Sequence, residues 1–205
     1  MLPKNYNSIH GWCTAEKSLT TMNLILENQA KTCLELGVFG GRSLVAIAIA
    51  AKKVSPTSKV IGVDAWTAQA SLEGTNDKAN DDWWSKVDYN DMYAYTKKIM
   101  IENGVDSVVE LWKCKSNECV DRFEDKSLDL LHQDSNHSEE ISCEEVELFW
   151  NKVKVGGHWI FDDANWPTTQ EAQKRLVSKG YEETYVSLQN ASQNEWKIFK
   201  RVLQQ

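Results

Sequence analysis

The sequence predicts a three-layer α/β sandwich, with a mainly parallel seven-stranded sheet and an antiparallel hairpin at its C-terminal edge. Three observations predict it. Short apolar, partly β-branched runs alternate with helix-length segments. A glycine turn joins the first strand-like run to the helix after it, and the chain ends in two successive strand-like runs with no helix between them. At 205 residues and 41% hydrophobic, the chain forms one domain over 1–205 and needs no disulfide or structural metal to bury a core.

The elements follow in order. Between Thr14 and Gln29, Leu19, Met22, Leu24 and Ile25 recur at helical spacing, with Thr14 in the N-cap position. Residues 32–37 read as a strand stopped by glycine, 43–53 as a helix, and 59–64 as a second strand, parallel to the first through a right-handed crossover. Residues 65–81 are polar and turn-rich, and 82–102 carry Trp84, Val87, Met92, Tyr95, Ile99 and Met100 on a helical pattern. An inserted, mobile lid is expected at 65–90. Strands at 108–112 and 128–134 flank a helix at 117–123. An acid-rich helix at 138–150 leads to a fifth strand at 158–162, a helix at 168–179, and the final pair at 183–188 and 196–202.

Composition narrows the partners. The balance of 23 Lys+Arg against 30 Asp+Glu gives a net charge of -7, the wrong sign for a phosphate backbone or an anionic membrane. The five cysteines are odd in number, without metal or redox spacing, and read as reduced thiols. The longest apolar run, Leu44 to Ala51, is too short for a bilayer, and the start has no signal-like pattern, so a soluble cytoplasmic protein is expected. Of nine tryptophans, Trp12, Trp66, Trp83, Trp84 and Trp166 fall in loops or loop-helix junctions, where they either form ligand platforms or pack the edge of the core.

Ligands of such sheets bind beyond the carboxyl ends of the strands, which places Glu35, Asp64, Asp134, Asp162 and Asp163 around one site. Glu35-x-Gly37-x-x-x-Gly41 follows a strand and opens a helix, so its glycines allow a tight turn and close approach of a ligand. Its spacing differs from the dinucleotide fingerprint, while Asp64 sits where an acid accepts bonds from ribose hydroxyls. A nucleoside without a pyrophosphate fits better.

From Gly11-Trp12-Cys13-Thr14 to Trp166 the chain resembles the class I, Rossmann-like methyltransferases. The resemblance implies S-adenosylmethionine as cofactor, with Glu35, Gly37 and Gly41 around its methionine part and Asp64 on its ribose. It also puts Ser116 beside the adenine, although Ser116 equally reads as a helix cap. The block Leu128-Asp129-Leu130-Leu131-His132-Gln133-Asp134-Ser135-Asn136-His137, followed by Gly156-Gly157-His158-Trp159-Ile160-Phe161-Asp162-Asp163, is similar to macrocin-type sugar O-methyltransferases. Their pattern is roughly I-D-x-x-H-I-D-G-D-H with G-G-x-x-x-x-D-D. This chain departs from it at Gln133, Ser135 and Asn136.

Clustered Asp134, Asp162 and Asp163 repel one another unless protonated or neutralised, which points to a divalent cation, magnesium by its taste for oxygen ligands. The alternative is that Asp134, Asn136 and the 162–163 pair cap the helices that follow. His137 matches the D-x-x-H spacing of a general base on an acceptor hydroxyl, or is a polar surface residue. His132 and His158 read as packed or surface side chains without a role. The acceptor implied is a small molecule such as a sugar. Two rival readings stay open: a hydroxylase-like relative of the cephalosporin hydroxylase branch that uses a metal, and a nucleoside-binding protein without turnover. Neither the acceptor nor the oligomeric state has a signature in the sequence.

Overall fold

A computed structural model describes residues 1–187 and 195–202. Its seven strands are β1 (Thr32–Leu36), β2 (Lys59–Asp64), β3 (Val109–Lys113), β4 (Leu128–Gln133), β5 (Val153–Phe161), β6 (Tyr181–Val186) and β7 (Lys197–Arg201). They form one sheet in the order β3-β2-β1-β4-β5-β7-β6. The first five are parallel, and β7 runs antiparallel to β5 and β6. The strand order reverses at β1, which pairs with both β2 and β4. That reversal opens a crevice above the carboxyl ends of β1 and β4, the place where such sheets hold ligands.

Alternation along the strands builds two cores. Cys33, Val60 and Leu130 join the layer of α1 (Ala15–Glu27), α2 (Arg42–Val54) and α5 (Tyr89–Glu102). Leu34, Ile61 and Leu131 join the layer of α6 (Glu139–Phe149) and α7 (Gln170–Ser178). Both faces of the central strands are thus covered, as their near-continuous apolar runs require. No helix among the described residues is long and apolar enough to cross a membrane.

Several elements differ from the expectation. The segment 82–102 is two helices, α4 (Lys78–Trp84) and α5, because Asp88 accepts bonds from the amides of Asn90 and Asp91 and starts a new helix. The helix expected at 117–123 is two 3-10 turns, Ser116–Glu118 and Val120–Arg122. β5 begins five residues early and carries a register irregularity opposite Leu128–Leu130, with Gly156 at φ 81°. The penultimate strand begins at Tyr181, and Leu188 of the expected run lies outside the described residues.

Helix α1 shows the most consequential difference. Thr14 caps it as expected, accepting from the Lys17 amide at 3.1 Å. Its buried face, however, is Lys17, Ser18, Thr21, Met22 and Ile25, while Leu19 is exposed. The inward stripe begins with polar residues at i, i+4 spacing, and it delivers a lysine to the ligand crevice.

Candidate active site

One cavity of about 620 Å³ opens above the carboxyl ends of the strands. Gly37, Asp64 and Ser116 line one part of it, and Asp134, His137, Asp162 and Asp163 line another. The five loop tryptophans, Trp12, Trp66, Trp83, Trp84 and Trp166, also lie on its wall. Two expected residues do not reach it. Gly41 lies outside the lining, and its absent side chain leaves room for Met100 and Thr96 of α5. Glu35 is fully buried below the crevice, where Oε1 lies 2.7 Å from Nδ1 of its cross-strand neighbour His132.

The glycine loop is shaped by its surroundings. Gly37 has φ 84°, and a Cβ there would collide with the backbone of Asp134 and Ser135, so only glycine lets β1 and β4 end this close together. Asp64 pins the same loop: Oδ2 accepts from the amides of Val38 and Phe39 at 3.0 and 2.9 Å, and Oδ1 from the amide of Trp66 at 2.6 Å. Three of its roughly four lone-pair sites are therefore used inside the protein. Burial raises the Asp64 pKa against the pull of those amides. Phe39, Trp66 and Asp163, all on the cavity wall, adopt positive φ without being glycine, so strained backbone collects at this site.

The acids at the ends of β4 and β5 form a tight group with a cation among them. Lys17, 3% exposed, has Nζ 2.7 Å from Oδ2 of Asp162 and 4.0 Å from Oδ2 of Asp134. Burial lowers the lysine's pKa, but Asp162 and Asp134 raise it further, and it stays charged. Burial works against Asp162 ionising, yet Lys17 and His132 hold its pKa below the usual carboxylate range. Asp134 is pushed well above that range by burial and by Asp162, and Asp163 is pushed up to about 8 by the same two causes. His137 places Nε2 3.3 Å from Oδ2 of Asp163 and 3.9 Å from Oδ1 of Asp134. Burial lowers its pKa to about 4, which keeps the ring neutral near pH 7.

The magnesium expectation meets this geometry. It rests on three carboxylates needing a positive charge, and the ammonium of Lys17 already supplies one. Among the described residues, the metal-type donors that converge within 4.8 Å are Glu35, His132 and Asp134 rather than the three aspartates. In that group one Glu35 oxygen is already committed to His132. The residues present do not fit the expected three-aspartate magnesium site.

Sequence reading also misses Glu145. It is buried on α6 and accepts from Gln133 Nε2 at 3.0 Å and from Ser135 Oγ at 2.6 Å, with Ser116 as a further hydroxyl partner. Ser116 is thus tied to Glu145, and it is the first residue of its 3-10 turn rather than the cap, which is Lys115. Asn136 turns the other way. Its Nδ2 donates to the carbonyls of Ala70, Ser71 and Glu73, at 3.2, 3.2 and 2.9 Å, and its Oδ1 accepts from the Ser138 amide. The 65–90 insertion, with α3 (Ala68–Ser71) and α4, is fastened by these bonds and by the Lys115–Glu73 ion pair. Trp12, Phe39, Trp83 and Trp84 pack edge-to-face and stacked at its rim, with centroids 4.7 to 5.8 Å apart.

A strand-end cavity with a glycine turn, a strand-two acid and an acid-histidine group beyond β4 defines a class I methyltransferase. The comparisons agree. The family described as a methyltransferase domain matches residues 34–164, more than half of the chain, and the chain belongs to that family. No curated protein matches it. Solved structures share the fold. The O-methyltransferase TomG from Streptomyces achromogenes, involved in tomaymycin synthesis and in complex with SAM, is 14% identical, with TM-score 0.69 over 93% of this chain and 82% of that one. An O-methyltransferase from Bacillus cereus in complex with SAH is 12% identical, with TM-score 0.67 over 95% and 85%. A SAM-dependent O-methyltransferase from Thermotoga maritima is 12% identical, with TM-score 0.62 over 99% and 73%.

Proposed function

We propose that this chain is an S-adenosylmethionine-dependent O-methyltransferase acting on a small hydroxylated acceptor. The observation that carries the reading is that one cavity holds a nucleoside-type half, Gly37, Asp64 and Ser116, beside a half with a neutral histidine, His137. The cofactors held by the TomG and Bacillus cereus structures support the choice of S-adenosylmethionine. Asp64 uses its remaining lone pair on the ribose, and Gly37 lets the cofactor approach the backbone.

The chemistry asks little more than alignment. The acceptor oxygen attacks the sulfonium methyl, the new O–C bond forms as the C–S bond breaks, and the bonding pair returns to sulfur as a neutral thioether. The hydroxyl proton passes to His137, whose Nε2 lies 3.3 Å from Oδ2 of Asp163. The insertion and its aromatic rim exclude water from the reacting oxygen. A sugar is the acceptor class favoured by the macrocin-type resemblance, and the exposed faces of Trp12 and Trp83 offer apolar planes to the C–H face of a ring. Magnesium is not required for charge balance in this reading, since Lys17 lies among the acids.

The test is calorimetry with S-adenosylhomocysteine, followed by incubation with methyl-labelled cofactor and a panel of sugars and phenols. Binding of the nucleoside with transfer of label to an oxygen is the expected result. Absence of nucleoside binding would remove the reading altogether, and tight binding without transfer to any acceptor would leave a binding protein.

A further inference from the structure

The acidic group at the ends of β4 and β5 contains its own cation. Lys17 reaches it from the first turn of α1, a helix fixed by the Thr14 cap and by Ser18, whose hydroxyl lies 2.6 Å from the Tyr6 hydroxyl. The lysine has little freedom to leave: its side chain is 3% exposed, and Nζ touches Asp162 at 2.7 Å with Asp134 at 4.0 Å. Magnesium would need near-ideal octahedral oxygen donors at short range from these same carboxylates. An ammonium among them competes for the oxygens and repels a second cation. His137 approaches the group from the opposite side, 3.3 Å from Asp163 and 3.9 Å from Asp134.

We propose that Lys17 is the fixed cation of this site: it pairs with Asp162 and stands beside Asp134 in place of a divalent ion, so that methyl transfer runs without a metal. The metal-free part of this inference rests on the methyl-transfer reading, and the charge-balancing part does not. Lys17 acts through the carboxylates it touches and is a positioning residue. Its ammonium fixes Asp134 and Asp162, and through them the wall on which His137 meets the acceptor. Removal of the ammonium leaves Asp162 and Asp134 without the cation they share, and they then draw in one from solution.

The experiment is a manganese(II) titration of the full-length protein, followed by electron paramagnetic resonance. Wild type is expected to take up no stoichiometric manganese. Folded Lys17→Met is expected to take up one ion, and the double variant with Asp162→Asn none. In the transfer assay, wild type keeps full activity in chelator. Without metal, Lys17→Met loses about 10- to 100-fold in kcat, with unchanged affinity for S-adenosylhomocysteine. Stoichiometric manganese uptake by wild type that Asp162→Asn abolishes would overturn the proposal. So would a folded Lys17→Met that binds no ion, or one that turns over at the wild-type rate in chelator. If Lys17→Met does not fold, the wild-type titration and the chelator assay decide alone. If wild type fails to bind S-adenosylhomocysteine, the methyl-transfer reading falls while the ion titration still decides the role of Lys17.

Discussion

Replacing Glu145 by glutamine should make the protein more stable, and by an amount that depends on pH in a defined way. Glu145 is buried, and burial pushes its carboxyl up to about 7 despite bonds from Ser135, Ser116 and Gln133. In the unfolded chain it titrates near the ordinary glutamate value of about 4.3. Between these two values the folded state holds a proton that the unfolded state has released. Stability from this group is therefore fully present below about 4.3 and is lost as pH rises through about 7. The loss corresponds to about 4 kcal/mol, or about 8–16 °C in Tm for a chain of this size.

Glutamine can keep the geometry. Both Gln133 Nε2 and Ser135 Oγ donate to the same oxygen, Oε2, so an amide oxygen placed there retains both bonds. The Ser116 hydroxyl, also a partner of this side chain, can donate or accept and so serves an amide as well as a carboxylate. The assay is a series of thermal melts of wild type and Glu145→Gln from pH 5 to pH 8. The variant's advantage should be small at pH 5, grow through pH 6 and 7, and level off by pH 8. Taking the difference between the two proteins cancels other titrating groups such as Asp163. A Tm difference that stays flat across the series would refute the reasoning, because it would mean that Glu145 ionises alike in both states.

Three further outcomes can be checked directly. Asp64→Ala should weaken S-adenosylhomocysteine binding about ten- to a hundredfold, the loss of a charged hydrogen-bond partner, and unchanged affinity in calorimetry would remove Asp64 from the site. His137→Ala should slow methyl transfer by about a hundredfold or more while leaving cofactor affinity intact, and a wild-type rate in single-turnover measurements would exclude it as the base. Asn136→Ala deletes three bonds to the carbonyls of Ala70, Ser71 and Glu73, so hydrogen exchange over 68–76 should accelerate, and exchange equal to wild type would show that the insertion is held by other contacts.

Much of this architecture is legible because it follows from local chemistry. The apolar runs that became β1, β2 and β4 are buried on both faces, so their composition alone marks them as central strands. The polar residues that end strands sit where sheet topology puts ligands. Of the expected site residues, Gly37, Asp64, Ser116, Asp134, His137, Asp162 and Asp163 line the cavity, whereas Glu35 lies beneath it and Gly41 stands outside its lining. What could not be read is which polar side chains turn inward. Lys17 on α1 and Glu145 on α6 look like solvent-facing charges among other charges, and only packing against the sheet decides otherwise. A signal existed for each: Lys17 shares a stripe with Thr21 and Ile25, and Glu145 is flanked by the buried Ser142, Val146 and Phe149.

The three departures from the macrocin-type pattern bear on whether this site is a working one. A loop that had merely lost its function would carry substitutions without partners. Here Gln133 donates to Glu145 and accepts from the indole of Trp159 at 3.1 Å, so the amide is held at both ends. Ser135, in place of glycine, uses its hydroxyl on the same Glu145. Asn136, in place of an acid, exchanges a charge for two amide protons and ties the insertion over the cavity through three carbonyls. Each departure therefore has a partner inside the fold, Gln133 and Ser135 on Glu145 and Asn136 on the insertion, and the loop that carries them still presents His137 to the cavity.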